Sequence, residues 1–213
     1  DPNFWYPLAR SAEVKQGKAF ACAFAGEPIV LARGKGGEVF ALEDRCAHRQ
    51  VPLSNGVVDG DNLRCGYHGW SFDRQGKCVS LPYAKGSVEG PRGVRAYPCR
   101  ERYGLVFVFP GDAEKAEATP FPEIPSAENP AYKTRYLNRR AKCHYSFMHE
   151  NLMDMNHQFL HRKLMGSIKT FFLGASSGPN WAEAIYAFRR VAGRQHISEK
   201  LILGRGGPIW KAE

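Results

Sequence analysis

Cys46 and His48 stand two apart, and after sixteen intervening residues Cys65 and His68 stand three apart. No other feature constrains the fold of this 213-residue chain as strongly, because two separate loops must meet at one point. Two thiolates and two imidazoles together make a metal site. Structural zinc sites more often pair two cysteines and then two histidines, with two to five residues inside each pair. Here each pair is mixed. That suits a [2Fe–2S] cluster in which one iron takes both thiolates and the other both imidazoles, each loop giving one ligand to each iron. On spacing alone, zinc and chance placement stay open. Gly66 and Gly69 flank the second pair and allow close backbone approach.

Composition narrows the class. Apolar residues make up 43% and charged residues 24%, as in soluble globular proteins. No apolar run reaches the roughly 18 residues of a membrane span. The opening "DPNFWYPLAR" has no basic start followed by an apolar run, so no signal peptide is read. It also lacks an initiator Met, so the true N-terminus is expected upstream. A disulfide framework is disfavoured in a chain long enough to build its own core. Cys22, Cys78, Cys99 and Cys143 are expected as buried thiols, in a reducing, cytoplasmic compartment. The net charge of +9 is spread out, densest at "NRRAK" (138–142) and "FRR" (188–190), and reads mostly as solvated surface.

Up to about residue 110 the pattern is β. "AFACAFAG", "EPIVLAR" and "GEVFALED" are short apolar strands between glycine-bearing turns. "WSFDRQGKCVSLP" predicts a hairpin turning at 73–76, and "YGLVFVFPGD" a strand. The segment 112–130, with four prolines, has the composition of a linker or an extended crossing. "HYSFMHENLMDMNHQFLHRKLMG" (144–166) predicts a helix ended by Gly166, and "WAEAIYAFRRV" and "QHISEKLILG" predict strands. No internal repeat is visible. The fold class expected is α+β: a small antiparallel β domain over 1–115, then over 116–213 an apparently incomplete α+β domain with an antiparallel sheet and the helix.

The segment "CAHRQVPLSNGVVDGDNLRCGYHGWSFDRQGKC" resembles, almost throughout, the Rieske segment of the aromatic-ring-hydroxylating oxygenases, in their large (α) terminal oxygenase subunits. The resemblance covers about residues 4–112, with "FWYPLARSAEV" and "YGLVFVFPGD" matching the two ends. It implies a [2Fe–2S] cluster on Cys46, His48, Cys65 and His68. Respiratory-type Rieske proteins carry two further disulfide-forming cysteines and a serine after the second "HG". Val51, Tyr67 and Trp70 stand in those places here. The resemblance therefore points to the oxygenase type, with a low reduction potential, since fewer donors reach the sulfurs.

A second constellation lies in "HENLMDMNHQFLH". At about 100° per residue, Asn151, Asp154, His157 and His161 fall within roughly a 120° arc of one helix face. Two such imidazoles and one carboxylate bind non-haem Fe(II) and leave open positions. Leu152, Met153, Phe159 and Leu160 occupy the opposite face, for packing. The stretch resembles the same family's mononuclear-iron motif, E-N-x-x-D-x-x-H followed by a second histidine. The resemblance assigns His157 and His161 as iron ligands and Asn151 as near the iron. Asp154 matches the aspartate that bridges to a cluster histidine of the neighbouring subunit. Many members have four residues between the two histidines, against three here. The family's third, carboxylate ligand comes from far downstream and is not in this chain. Its acids after His161 are Glu183, Glu199 and Glu213, and none sits in a matching motif.

The resemblance implies an oxidoreductase that hydroxylates, demethylates or dihydroxylates an aromatic or related organic substrate with O2, with a slight lean toward the monooxygenase and demethylase members. Electrons would come from NAD(P)H through a separate reductase or a ferredoxin, and the assembly would be a homotrimer. No nucleic-acid or membrane partner is expected. Arg45, Arg49, Arg64 and Arg74, near the cluster loops, are candidates for docking an acidic electron donor. The alternatives are a Rieske-type electron carrier without oxygenase activity and a zinc-bearing nucleic-acid-binding protein. Metal and acid-labile sulfide analysis of the purified full-length protein separates them. The oxygenase is expected to hold about three irons and two sulfides per chain, a carrier about two irons, and a zinc protein no sulfide.

Overall fold

The computed structural model describes residues 1–84, 88, 92–154, 157, 160, 161, 168–179, 181–190, 197 and 201. The chain divides into two compact units, Asp1–Arg135 and Tyr136–Glu213.

Eleven strands build the first unit: β1 (Tyr6–Arg10), β2 (Ala19–Phe24), β3 (Glu27–Arg33), β4 (Val39–Glu43), β5 (Val57–Asp59), β6 (Asn62–Arg64), β7 (Ser71–Phe72), β8 (Cys78–Ser80), β9 (Ala96–Tyr97), β10 (Cys99–Arg102) and β11 (Leu105–Val108). They form three antiparallel sheets, ordered β1-β11-β10, β2-β3-β4-β9 and β5-β6-β7-β8. The strands expected at "AFACAF", "EPIVLAR" and "VFALE" form, as does the hairpin of β7 and β8. Its turn is held by Asp73, whose carboxylate accepts from the backbone N–H of Gln75 at 3.0 Å and of Lys77 at 2.9 Å.

Strand β3 organises the interior. Its apolar run "IVLA" is buried on both faces, as a strand between two cores must be. Ile29 and Leu31 pack with Val14, Val106 and Val108. Val30 and Ala32 pack with Leu42, Leu63, Phe72, Cys46 and Cys65. The two cysteines of the metal motif are thus part of an apolar core. A third cluster joins Trp5, Phe107 and Phe109 to Ala116 and Phe121. The stretch after residue 112, linker-like in composition, therefore packs back onto the first unit. Arg102 adds a two-pronged contact to Glu128 at 2.9 and 3.1 Å.

The second unit holds the helix α2 (Tyr145–Met153) and a long hairpin of β12 (Ile168–Gly178) and β13 (Trp181–Arg190). A short helix, α1 (Pro125–Glu128), precedes it in the first unit. Strand β13 was expected. Within "QHISEKLILG" only Ile197 and Leu201 are described, and both are helical against the strand expected there. The helix expected over 144–166 stops early: Asp154 leaves helical geometry at φ −84°, ψ 95°. Leu152, Met153 and Leu160, expected to pack, are exposed. A helix whose apolar residues are uncovered lacks the tertiary support that usually extends helices in proteins. Among the described residues, no helix is long and apolar enough to cross a membrane.

One ion pair ties the ends of the first unit's core together. Arg33 donates to both carboxylate oxygens of Glu101 at 2.8 Å and also to the carbonyls of Val14 and Gly37. The Arg33 hydrogen bonds hold the Glu101 carboxyl below its usual pKa. A depressed folded-state pKa stabilises the fold above the unfolded value of roughly 4.3, and that stability is lost as pH falls through the folded value. The thermal midpoint is expected to fall as pH drops from about 5 towards 3, and to fall less in Glu101→Gln. Melting curves followed by circular dichroism across that range check it.

Candidate metal centres

The two motif loops are built alike. In residues 46–51, the Cys46 N–H donates to the Val51 carbonyl at 2.9 Å and the Gln50 N–H donates back to the Cys46 carbonyl at 2.8 Å. In residues 65–70, the Cys65 N–H donates to the Trp70 carbonyl at 2.8 Å and the Gly69 N–H to the Cys65 carbonyl at 3.1 Å. Each loop needs a left-handed residue at its fifth position, and Gln50 (φ 58°) and Gly69 (φ 71°) supply it. The strings "CAHRQV" and "CGYHGW" hide this equivalence, because only the cysteine is shared in place and the histidine is displaced by one.

Further contacts press the loops together. The buried Asp44 carboxylate accepts from the N–H and the hydroxyl of Ser54, both at 2.6 Å, fastening the start of the first loop to the turn beyond it. That turn meets the second loop: a Cβ on Gly66 would sit 2.7 Å from the Asn55 carbonyl oxygen, so only glycine fits. Asp44 and Ser54 carried no sequence signal of their own.

The candidate donors meet in two pairs of marked polarity, cysteine with cysteine and histidine with histidine, and among the described residues no three of them gather as for a single ion. Cys46 and Cys65 are 1% and 3% exposed, whereas His48 is exposed and His68 half-buried. The imidazole rings lie 4.7 Å apart, centroid to centroid. Burial pushes the Cys46 thiol pKa up, and the nearby Cys65 pushes it further. The backbone N–H groups of His48 and Arg49 act in the opposite direction, and the Tyr67 N–H points at Cys65 Sγ at 3.5 Å. Two buried sulfurs this close, supplied with N–H donors, suit thiolates neutralised by a metal cluster. The donor set fits a [2Fe–2S] group, with thiolates inward and imidazoles outward. Local desolvation by neighbouring atoms lowers the pKa of the exposed His48, aided by His68 and Arg49.

The other cysteines are free thiols. Cys78 is buried, and burial pushes the Cys22 and Cys99 thiols up to about 12. Cys143 is exposed, against the expectation of a buried thiol. The four arginines near the loops differ in availability. Arg74 pairs with Glu38 and, at 2.7 Å, with Asp61; Arg45 lies 3.6 Å from both Glu27 and Glu43; Arg64 lies 3.5 Å from Asp59. Arg49 is exposed beside His48.

In the second unit, Asn151 lies in the last turn of α2 and Asp154 caps it, its N–H donating to the Glu150 carbonyl at 2.9 Å. His157 and His161 follow in 3₁₀-type turns, not on the same continuous helix. The shared-arc construction therefore does not hold beyond Asp154. The two imidazoles nevertheless meet, with centroids 5.3 Å apart and planes at 89°. His157 Nδ1 contacts the Asp154 carbonyl oxygen. A carbonyl only accepts, so Nδ1 carries the proton and the Nε2 lone pair is left free for a metal. Among the described residues no third His, Cys, Asp or Glu completes a single-ion site. Glu183 lies on β13, within 3.5 Å of the Ser176 hydroxyl, and Glu199 and Glu213 are outside the described residues.

Residues 4–98 match the Rieske [2Fe-2S] domain, and residues 141–201 the vanillate O-demethylase oxygenase C-terminal domain. The chain is 41% identical over 167 residues to a 4beta-methylsterol monooxygenase of Methylococcus capsulatus, covering 75% of this chain and 44% of that protein. It is 36% identical to the oxygenase component of dicamba O-demethylase of Stenotrophomonas maltophilia, over 75% of this chain and 47% of the other. With the vanillate O-demethylase oxygenase subunit of a Pseudomonas species it shares 35% identity, over 87% and 53% respectively. Dicamba monooxygenase bound to 3,6-dichlorosalicylic acid superposes with a TM-score of 0.82 at 30% identity, covering 95% of this chain and 60% of that one. The same enzyme with non-heme iron and dicamba gives 0.69 at 33%, covering 81% and 50%. The chain spans about half the length of the curated relatives it matches.

Gly69 tests the loop construction. Its φ of 71° strains any side chain, and a Cβ would lie 2.8 Å from the Pro82 ring. Gly69→Val is expected to cost roughly 1–3 kcal/mol and to lower cluster content. Denaturation midpoint and visible absorbance per chain measure the two effects.

Proposed function

We propose that this chain, with its Rieske [2Fe-2S] and vanillate O-demethylase oxygenase C-terminal domain matches, works as the terminal oxygenase component of a Rieske non-haem iron oxygenase, carrying out monooxygenation or oxidative demethylation of an aromatic or related organic substrate. The observation that carries this is the pairing of two donor sets in one chain: the twin loops of 46–51 and 65–70, and the convergent His157 and His161. The relatives' names, a sterol monooxygenase and two O-demethylase components, favour this chemistry over ring dihydroxylation. They also leave substrate size wide.

When bound, the cluster supplies one-electron transfer and the mononuclear iron supplies O2 activation at an open coordination position. Cys46 and Cys65 would hold the cluster from inside the apolar core, and His48 and His68 would carry its outer edge to the surface. Electrons thus enter and leave on the imidazole side. His157, its Nδ1–H donating to the Asp154 carbonyl, would offer Nε2 to the mononuclear iron, and His161, its ring centroid 5.3 Å away, would join it. Asn151 would lie near that iron, and the third, carboxylate ligand would not come from this chain. Asp154 stands at the head of the turn that bears His157. Its carboxylate would link this centre to an imidazole of the neighbouring subunit's cluster, orienting both. The assembly is a homotrimer fed by an NAD(P)H-dependent reductase or a ferredoxin, in the cytoplasm. Arg49, exposed next to His48, is the nearest of the four arginines to serve an acidic donor.

Asp154→Asn tests the bridge in the full-length protein with its reductase. Turnover is expected to fall by at least about tenfold, with iron and sulfide content unchanged. Undiminished turnover with both metals bound would remove Asp154 from the path.

A further inference from the structure

We propose that Trp70 is a positioning residue for His48: its indole, anchored in the core by the second loop, sets the ring plane of the first loop's imidazole at the [2Fe–2S] centre. The proposal rests on the cluster reading above. The Trp70 and His48 rings are stacked, with planes 3° apart and centroids 4.8 Å apart. The contact crosses between loops, since Trp70 closes residues 65–70 and His48 belongs to residues 46–51.

Trp70 is held independently of the metal. Its carbonyl accepts the Cys65 N–H at 2.8 Å, and its side chain packs against the cluster of Phe72, Leu63 and the two cysteines. His48 is exposed, so its own surroundings do little to restrict its side-chain torsions. A fixed aromatic plate removes that freedom before any iron arrives. Val51, the equivalent closing residue of the first loop, has no ring to offer in return. His68 instead lies beside Tyr67, which is tilted by 42° and 63% exposed. The two imidazoles are therefore held by different means, and a change at Trp70 should reach one and spare the other.

The test uses the full chain purified with its cluster and labelled with ¹⁵N-histidine. Pulsed EPR of the reduced protein resolves the two bound imidazole nitrogens, and a ferrous chelator measures cluster loss. A wild-type protein with no cluster signal would refute the cluster reading, not this inference. Trp70→Leu is expected to shift or broaden one ¹⁵N coupling only and to speed cluster loss by roughly 2- to 12-fold, the worth of one aromatic pair. Trp70→Phe, which keeps a stacking face, should restore both readouts. Tyr67→Leu should move the other coupling. Trp70→Met stands in should the leucine variant not fold. Unchanged couplings and loss rate in a folded non-aromatic variant overturn the proposal. So does an equal shift of both couplings, or a phenylalanine variant as perturbed as the leucine one.

Discussion

Everything at the cluster end of this molecule depends on how the two donor loops are closed. Each uses the same pair of backbone hydrogen bonds and the same left-handed fifth residue. Closure turns the cysteine side chain inward, where Cys46 and Cys65 share a core with Val30, Leu42 and Phe72. A thiolate is costly to bury alone, so these sulfurs would ionise only with a counter-charge beside them. The imidazoles, neutral as ligands, can sit outside at little cost.

The first unit's charges are mostly arranged to hold strands and turns. Arg33 bonds Glu101 and the carbonyls of Val14, Gly37 and Ser11, Arg74 bridges Glu38 and Asp61, and Arg102 grips Glu128. A positive total read from composition thus overstates the charge free to meet a partner. Of the four arginines beside the loops, three lie within 4 Å of a carboxylate, which directs attention to Arg49. The second unit contrasts with the first. Among its described residues, the helix and hairpin expose Leu152, Met153, Phe172 and Trp181.

Much of the fold was legible from strand patterning. The run "EPIVLAR" read as a short apolar strand, its burial on both faces being added by the structure, and the 73–76 turn announced itself through aspartate and glycine. The helix was legible at its start and not at its end. Periodicity beyond Asp154 suggested one continuous face, but helix length depends on packing, and nothing in the local pattern recorded that Leu152 and Met153 lie uncovered. The linker-like prolines of 112–130 likewise concealed that Phe121 would find Trp5 and Phe107.

The sequence by itself supplied the donors at the motif: two cysteines and two histidines in mixed pairs, which favour a mixed-ligand iron–sulfur pair while spacing alone leaves zinc open, and a second pair of histidines downstream. Donor type and spacing are covalent facts, and metal preference follows from them. Only the tertiary structure decided which donors are dry and which are wet, that the loops are equivalent, and that Trp70 of one lies flat on His48 of the other. These depend on which distant segments touch. Contacts between residues far apart in the chain leave no periodic trace in it.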